Sequence, residues 1–305
     1  MKYQMFLFVV SLILCVGCSG DNAAIQLINE VPTETSTGSG YFEYSGYAPF
    51  GKKQMRIYYY IPKSVAVDTQ IVFGFHGNGR DARNLRNELI AKADQHSFVV
   101  IVPEFSYENF SGGDAYNLGN VFVDGDNPSL STLNPETEWS FSVVEPLFDF
   151  ITQRMSNATS KYHIIGHSAG GQFAHRFLLF KPNARYDKVV ASAPGWYTCP
   201  DLSVPFPYGF ERSPLENLAL ESLFQKNLLI QVGSMDTNTG GSLRHNSFAD
   251  AQGLTRLDRA QYFFNKASEM AAASNLDFKW ELYIIEGANH DFTEVSQHAA
   301  DLIFN

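Results

Sequence analysis

Residues 164–173 read Ile-Ile-Gly-His-Ser-Ala-Gly-Gly-Gln-Phe (IIGHSAGGQF) and place Ser168 between two glycines. An apolar run precedes the serine and a helix-like run follows it, so the pattern predicts a sharp strand-to-helix turn. Gly166 and Gly170 permit that turn because they carry no side chain to clash. The following helix would place its free N–H groups beneath the hydroxyl, where they favour negative charge. The motif alone is also compatible with a structural turn, but in this context it predicts a nucleophile.

Apolar strand-like runs alternate with helical runs around this turn. Strands are predicted over 41–47, 54–62, 70–77, 98–105, 161–166, 187–195, 227–236 and 278–287, and helices over 82–96, 136–155, 169–180, 256–274 and 292–304. The alternation from residue 70 onward predicts an α/β fold with a mainly parallel central sheet and helices on both faces. The first two strands have no helix between them and are expected to form an antiparallel N-terminal edge. Residues 106–135 are expected to form a long irregular loop.

A serine nucleophile needs a base and a carboxylate that orients the base. His290 follows the last predicted strand, so it lies at the carboxyl edge of the sheet, where α/β proteins bind ligands. His245, in a loop, is the second choice for the base. Asp236 directly follows a buried strand and precedes His290, which gives the order Ser, Asp, His. Asp201 is the alternative carboxylate.

The oxyanion of an acyl-transfer reaction needs two N–H donors. Ala169 follows the serine and is predicted to supply one of them. The other is predicted from the turn His76-Gly77-Asn78-Gly79, whose small residues let the backbone approach a substrate. Asn78 N–H is the preferred donor, and Gly79 N–H is the alternative.

Four short motifs, FHGNG, GHSAGG, GSMD and GANH, occur in the order expected of the α/β-hydrolase superfamily, which the chain resembles from about Tyr41 onward. Within that superfamily it is similar to secreted esterases related to polyhydroxybutyrate depolymerases and feruloyl esterases. The resemblance implies carboxylic-ester hydrolysis through an acyl-enzyme, with no metal or organic cofactor. It assigns the catalytic triad to Ser168, Asp236 and His290, and the oxyanion hole to Asn78 and Ala169.

An aromatic loop follows the strand at 187–195, on the active-site edge. Four of its side chains are predicted to line a pocket for a hydrophobic or aromatic acyl group: Trp196, Tyr197, Phe206 and Tyr208. A small local core beneath the loop explains the same residues equally well. The expected substrate is a small-molecule or oligomeric ester. A serine peptidase of the same fold and a catalytically silent surface-binding homologue are the alternative functions.

The N-terminus predicts export from the cytoplasm. Residues 1–18 have one lysine, a short apolar run and small residues, which is typical of a signal peptide. The sequence Cys15-Val16-Gly17-Cys18 resembles a bacterial lipoprotein cleavage site and makes Cys18 the lipidation site; an ordinary signal peptide is the alternative. Residues 19–40 are expected to be a flexible linker and 41–305 the catalytic domain. The protein is thus expected in the bacterial cell envelope, or else in the periplasm or secreted.

The net charge and the cysteine content limit the kinds of partner and metal site expected for the protein. The chain has 305 residues and a net charge of −10, with no basic cluster, so nucleic acid is not expected as a partner. Membrane contact is expected only through the N-terminal lipid. Outside the leader Cys199 is the only cysteine, which rules out an internal disulfide framework and a zinc site built from cysteines. The oligomeric state is left open.

Overall fold

The computed structural model describes residues 28–241 and 243–305, and these residues fold around one β-sheet. Its nine strands are β1 (Ile28–Asn29), β2 (Gly38–Tyr44), β3 (Met55–Ile61), β4 (Ile71–Phe75), β5 (Val99–Pro103), β6 (Tyr162–His167), β7 (Tyr186–Ser192), β8 (Asn227–Gly233) and β9 (Glu281–Ile285). They lie in the order β1-β2-β3-β5-β4-β6-β7-β8-β9. Strand β3 pairs antiparallel with both β2 and β5, and all neighbours from β5 to β9 are parallel. The predicted fold class is confirmed.

Helices cover both faces of this sheet. They are α1 (Ala82–Glu88), α2 (Ile90–His96), α3 (Val144–Arg154), α4 (Ala169–Phe180), α5 (Leu220–Phe224), α6 (Ser247–Ala251), α7 (Arg256–Ala273) and α8 (Phe292–Phe304). Apolar side chains of α3, α4 and α7 belong to one buried cluster, and those of α1, α2 and α8 belong to the cluster on the other face. In the described residues no helix has the length and apolar character needed to cross a membrane.

Two predicted helices differ from the structure. The helix predicted over 136–155 is α-helical only from Val144 to Arg154, and short 3₁₀ turns precede it. Pro146 explains the late start, because proline has no N–H to donate and is tolerated only in the first turn of a helix. The helix predicted over 82–96 is divided into α1 and α2 at Leu89.

The linker predicted for 19–40 differs from the structure over its last residues. Ile28–Asn29 pair with β2, and Gly38 and Gly40 lie within β2 itself. The glycine content suggested a tether, but a Cβ at Gly40 would overlap the ring of Tyr59 on the neighbouring strand. The glycine therefore serves close packing in the sheet. The predicted leader 1–18 and its Cys18 lie outside the described residues.

Three buried histidines are held as neutral rings around the sheet. In each ring one nitrogen accepts a backbone N–H, from Phe105 for His76, from Lys188 for His163 and from Thr198 for His175. The other nitrogen faces an oxygen acceptor. Burial lowers the pKa of His76 to about 3 and of His163 to about 4, and it lowers the pKa of His175 well below 6.5. Protonation of any of the three would break an accepted hydrogen bond.

We therefore expect stability to fall as the pH drops below about 6.5. These rings titrate near 6.5 in the unfolded chain but lower in the folded protein, so the unfolded state binds more protons in acid. Each histidine then removes about 1.4 kcal/mol of unfolding free energy per pH unit between about 6 and its folded pKa. Urea unfolding between pH 7.5 and 5 measures this. His163→Gln should flatten the slope, whereas a mutation of the exposed His245 to Gln should not; equal slopes in all three proteins would contradict the expectation.

Candidate active site

Ser168 occupies a strained turn between β6 and α4. Its φ of 56° and ψ of −113° lie in a region that side chains rarely adopt, and its N–H donates to Ser192 O at 2.8 Å. A Cβ at Gly170 would overlap the Phe75 carbonyl oxygen, and one at Gly166 would overlap the Gly170 carbonyl. The two glycines therefore let α4 approach the sheet edge closely enough to hold the serine in this conformation.

Replacing Gly170 with alanine is expected to destabilise the protein by more than about 3 kcal/mol, because the clash involves backbone that cannot rotate away. Gly240→Ala is the matched control, since its Cβ would meet only the Asn238 side chain at an ordinary 3.5 Å. Chemical denaturation of both variants measures the difference. Equal unfolding free energies for the two variants would show that the turn between β6 and α4 tolerates a side chain at Gly170.

The structure brings Ser168, His290 and Asp236 together at the carboxyl edge of the sheet. His290 Nε2 lies 3.1 Å from Ser168 Oγ, and His290 Nδ1 lies 2.7 Å from Asp236 Oδ2. Asp236 is 1% exposed and lies in the turn that follows β8, and His290 lies in the loop between β9 and α8. A buried carboxylate, an imidazole and a hydroxyl are therefore aligned so that a proton can leave the serine.

The alternative base and the alternative carboxylate predicted from the sequence do not contact Ser168. His245 is bound to Asp250 and to the Thr239 carbonyl rather than to the serine. Asp201 accepts from the backbone and side chain of Ser203. Neither takes part in the arrangement around Ser168.

Arg256 is a member of this site that the sequence reading missed. It lies in the first turn of α7, and its Nη1 is 3.6 Å from Asp236 Oδ1, the carboxylate oxygen that does not face His290. Burial lowers the pKa of Arg256, while the Asp236 charge acts to raise it. The Arg256 cation therefore lies where it balances the charge of the Asp236 carboxylate and can help to position it. An arginine at a helix start looks like a surface residue, so the sequence carried no signal for this role.

His167 packs its ring against His290, with ring centroids 4.7 Å apart. It is buried, and this burial, followed by the proximity of His290, holds its pKa well below 6.5. A neutral His167 therefore forms one wall against which the His290 ring is oriented.

The predicted oxyanion donors border the serine. Ala169 is the first residue of α4, where a backbone N–H has no partner within the helix. Asn78 lies in the turn after β4, and Tyr107 Oη donates to its carbonyl at 2.6 Å. Tyr116 Oη donates to the His76 carbonyl at 2.7 Å. The 106–135 loop therefore anchors the turn that carries Asn78.

Two cavities with different linings border Ser168. The histidine-side pocket, of about 390 Å³, is lined by Asn78, Leu85, His167, Ser168, His290 and Phe292. The arginine-side pocket, of about 210 Å³, is lined by Asn117, Ser168, Ala169, Trp196, Arg244 and Arg256. No group of His, Cys, Asp and Glu side chains in the described ranges is arranged to hold a metal ion. A substrate can extend in two directions from the serine.

Only part of the predicted aromatic wall reaches these cavities. Trp196 lines the arginine-side pocket. Tyr197 is fully buried and stacks on Phe263 with centroids 4.4 Å apart, so its predicted contact with substrate is wrong. Phe206 and Tyr208 border a separate depression that does not include Ser168, so they too are not placed at the serine. The loop folds back on its own aromatic side chains, because burying them removes more apolar surface from water than lining a pocket would.

No protein-family model and no curated protein sequence matches the chain. Among solved structures, poly(aspartic acid) hydrolase-1 from Sphingomonas sp. KT-1 is 34% identical with a TM-score of 0.82, over 88% of this chain and all of that one. A poly(3-hydroxybutyrate) depolymerase from Bordetella parapertussis is 29% identical with a TM-score of 0.81, over 88% and 90%. An S-formylglutathione hydrolase from Agrobacterium tumefaciens, 18% identical over 90% and 97% with a TM-score of 0.56, shares the fold. The chain belongs to the α/β-hydrolase family, and it is a hydrolase.

Proposed function

We propose that the protein hydrolyses carboxylic esters through an acyl-enzyme formed on Ser168. The observation that carries this proposal is the continuous alignment of Asp236, His290 and Ser168 at 2.7 and 3.1 Å. The strained turn of Ser168, which exposes the hydroxyl to two cavities, supports it further.

In the first half-reaction His290 Nε2 takes the proton of the Ser168 hydroxyl as the oxygen attacks the ester carbonyl. Asp236 accepts from His290 Nδ1, which selects the tautomer with a free Nε2 and stabilises the imidazolium. The N–H groups of Ala169 and Asn78 bind the oxyanion. When the carbon–oxygen bond of the alcohol breaks, His290 returns the proton to the departing oxygen.

In the second half-reaction water takes the place of the alcohol. His290 accepts a proton from the water as it attacks the acyl-enzyme, and the resulting tetrahedral species releases the carboxylic acid. The proton passes from His290 back to Ser168 Oγ. The cycle consumes one ester and one water and yields one acid and one alcohol, with the residues returned to their starting state.

Amide hydrolysis is the second candidate. The 34% identical relative is named a poly(aspartic acid) hydrolase, and the units of that polymer are joined by amide bonds. The 29% identical relative is named for poly(3-hydroxybutyrate), a polyester. The same nucleophile and base serve both reactions, so the scissile bond separates the two candidates.

The test compares short-chain 4-nitrophenyl and feruloyl esters with the matching 4-nitroanilides, using the protein without residues 1–18. We expect the protein to hydrolyse the esters and to hydrolyse the anilides more slowly by orders of magnitude. Preferential cleavage of anilides would favour the amide reaction. A protein inert toward both classes, with Ser168 unreactive to an organophosphonate ester, would favour the catalytically silent homologue.

A further inference from the structure

Arginines converge beside the nucleophile although the protein carries a net charge of −10. Arg244 and Arg256 line the arginine-side pocket. Arg176 lies behind its wall, with the guanidinium carbon 5.2 Å from the centroid of the Trp196 ring. Cations placed together in this way repel one another, so their convergence at one pocket calls for an explanation.

Arg256 is 5% exposed, and its Nε has no acceptor among the described residues. Its nearest carboxylate oxygen, on Asp236, is 3.6 Å from Nη1, too long for a hydrogen bond. A buried guanidinium with unused donors is costly unless an acceptor arrives. Because Arg256 lines the cavity that contains Ser168, a bound substrate is able to supply that acceptor.

Arg244 is the accessible cation of the pocket. Its guanidinium stacks on Trp196 at 4.3 Å from the ring centroid, forms an ion pair with Asp126 and donates to Tyr208 Oη at 3.2 Å. The side chain remains 30% exposed. These contacts fix the plane of the guanidinium while leaving part of it open, as a fork-shaped recognition group for a carboxylate requires.

Arg176 adds positive charge without a carboxylate partner. Its Nε donates to Thr198 Oγ1 and its Nη1 to the Asn117 carbonyl, while Nη2 has no acceptor among the described residues. Burial, followed by the proximity of Arg244, lowers its pKa to about 9. The wall behind Trp196 thus contributes a positive potential to the pocket.

The two neutral amide side chains Asn117 and Gln172 of the pocket are engaged with protein groups. Asn117 Nδ2 donates to Gln172 Oε1 at 2.7 Å, and Gln172 Nε2 points to the Trp196 carbonyl at 3.4 Å. The pocket therefore offers positively charged donors and few acceptors. Its electrostatic complement is an anion.

The position of His290 decides which part of the substrate enters this pocket. His290 must give its proton to the leaving oxygen, and it lines only the histidine-side pocket. The alcohol therefore departs on that side. The acyl group extends the other way, past Ala169 and toward Trp196 and the arginines.

We propose that the arginine-side pocket binds a carboxylate carried by the acyl group, with Arg244 and Arg256 as its recognition groups. The substrates are then acyl compounds with a second, free carboxylate a few atoms from the scissile bond, such as monoesters of short dicarboxylic acids. This inference rests on the acyl-transfer function proposed above and names the substrate class of that site. A volume of about 210 Å³ accommodates a short acyl chain.

The test measures kcat/KM for two esters that differ only at the acyl terminus, 4-nitrophenyl hydrogen glutarate and 4-nitrophenyl pentanoate, after subtraction of spontaneous hydrolysis. The wild-type protein should prefer the glutarate. Arg244→Gln should lower the glutarate-to-pentanoate ratio by about tenfold or more, and Arg244→Lys by less, because lysine keeps the charge but loses the fork. Arg154→Gln, the same change at an exposed residue of α3, should leave the ratio unchanged.

The ratio is insensitive to partial misfolding, because inactive protein lowers both rates alike. A wild-type preference for pentanoate, or equal ratios in the Arg244 and Arg154 variants, would overturn the anion subsite while leaving the esterase function in place. A higher kcat/KM for 4-carboxyphenyl pentanoate than for 4-nitrophenyl hydrogen glutarate would mean that the recognised carboxylate is on the alcohol. That result would also overturn the anion subsite. If the wild-type protein cleaves neither 4-nitrophenyl ester, the proposed function fails and this inference falls with it.

Discussion

Replacing Ser168 with alanine is expected to lower kcat for ester hydrolysis by about 10⁴–10⁶-fold, because the variant has no oxygen to form the acyl-enzyme. The fold should survive, since among the described residues the Ser168 hydroxyl forms a hydrogen bond only with His290 Nε2, and the φ of 56° is set by the surrounding glycines and β7. Steady-state turnover of a 4-nitrophenyl ester, with circular dichroism as a check of folding, measures the effect.

Ser222→Ala is the matched control, since Ser222 is exposed and, within the part of the chain that the structure describes, its hydroxyl donates only to the Ala219 carbonyl. It should retain wild-type turnover. An alanine variant of Ser168 that keeps more than about one-hundredth of the wild-type kcat would mean that another group attacks the ester, and the proposed mechanism would have to be abandoned.

Asp236→Asn is expected to lower kcat by about 10⁴-fold with little change in KM. The amide of asparagine can donate to His290 Nδ1, which stabilises the tautomer whose Nε2 carries a proton and cannot act as base. The substitution also removes the negative charge beside Arg256, so a buried cation loses its nearest carboxylate.

Asp201→Asn is the control for this experiment. Asp201 was the alternative carboxylate from the sequence, and in the structure it accepts hydrogen bonds from Ser203 and lies 3.9 Å from Lys266 Nζ. Its variant should keep kcat within about threefold of the wild type. The reverse pattern, an inactive Asp201 variant beside an active Asp236 variant, would show that the orienting carboxylate had been assigned to the wrong aspartate.

Much of the fold is readable from local patterns. Apolar runs of strand length alternate with helical runs, and the strand at 227–236 and the helix at 256–274 both appear close to their predicted bounds. The capping box of α7, in which Thr255 and Asp258 bind each other's backbone N–H, is equally local. The short strand Ile28–Asn29 was not predicted, since two residues carry no periodicity and their pairing depends on β2.

The aromatic loop after β7 shows where sequence reading fails. Trp196, Tyr197 and Phe206 are all large aromatic residues of this loop, yet they face different surroundings. Trp196 lines a cavity at Ser168, Tyr197 packs on Phe263, and Phe206 borders a separate depression. Which aromatic side chain faces the cavity depends on how the loop folds against α4 and α7. That choice is made by packing across the whole domain, and local periodicity does not encode it.

By itself, the sequence determined the α/β class and the strand-to-helix turn at Ser168, and it predicted Asp236 and His290 as partners. These follow from periodicity and from glycines close to the serine, together with the rule that parallel strands bring their carboxyl ends to one edge. Only the tertiary structure decided that Arg244 and Arg256 lie beside Ser168, with Arg176 behind Trp196. Their charges come from separate helices and loops, and a pattern of neighbouring residues cannot show which distant cations will share a pocket.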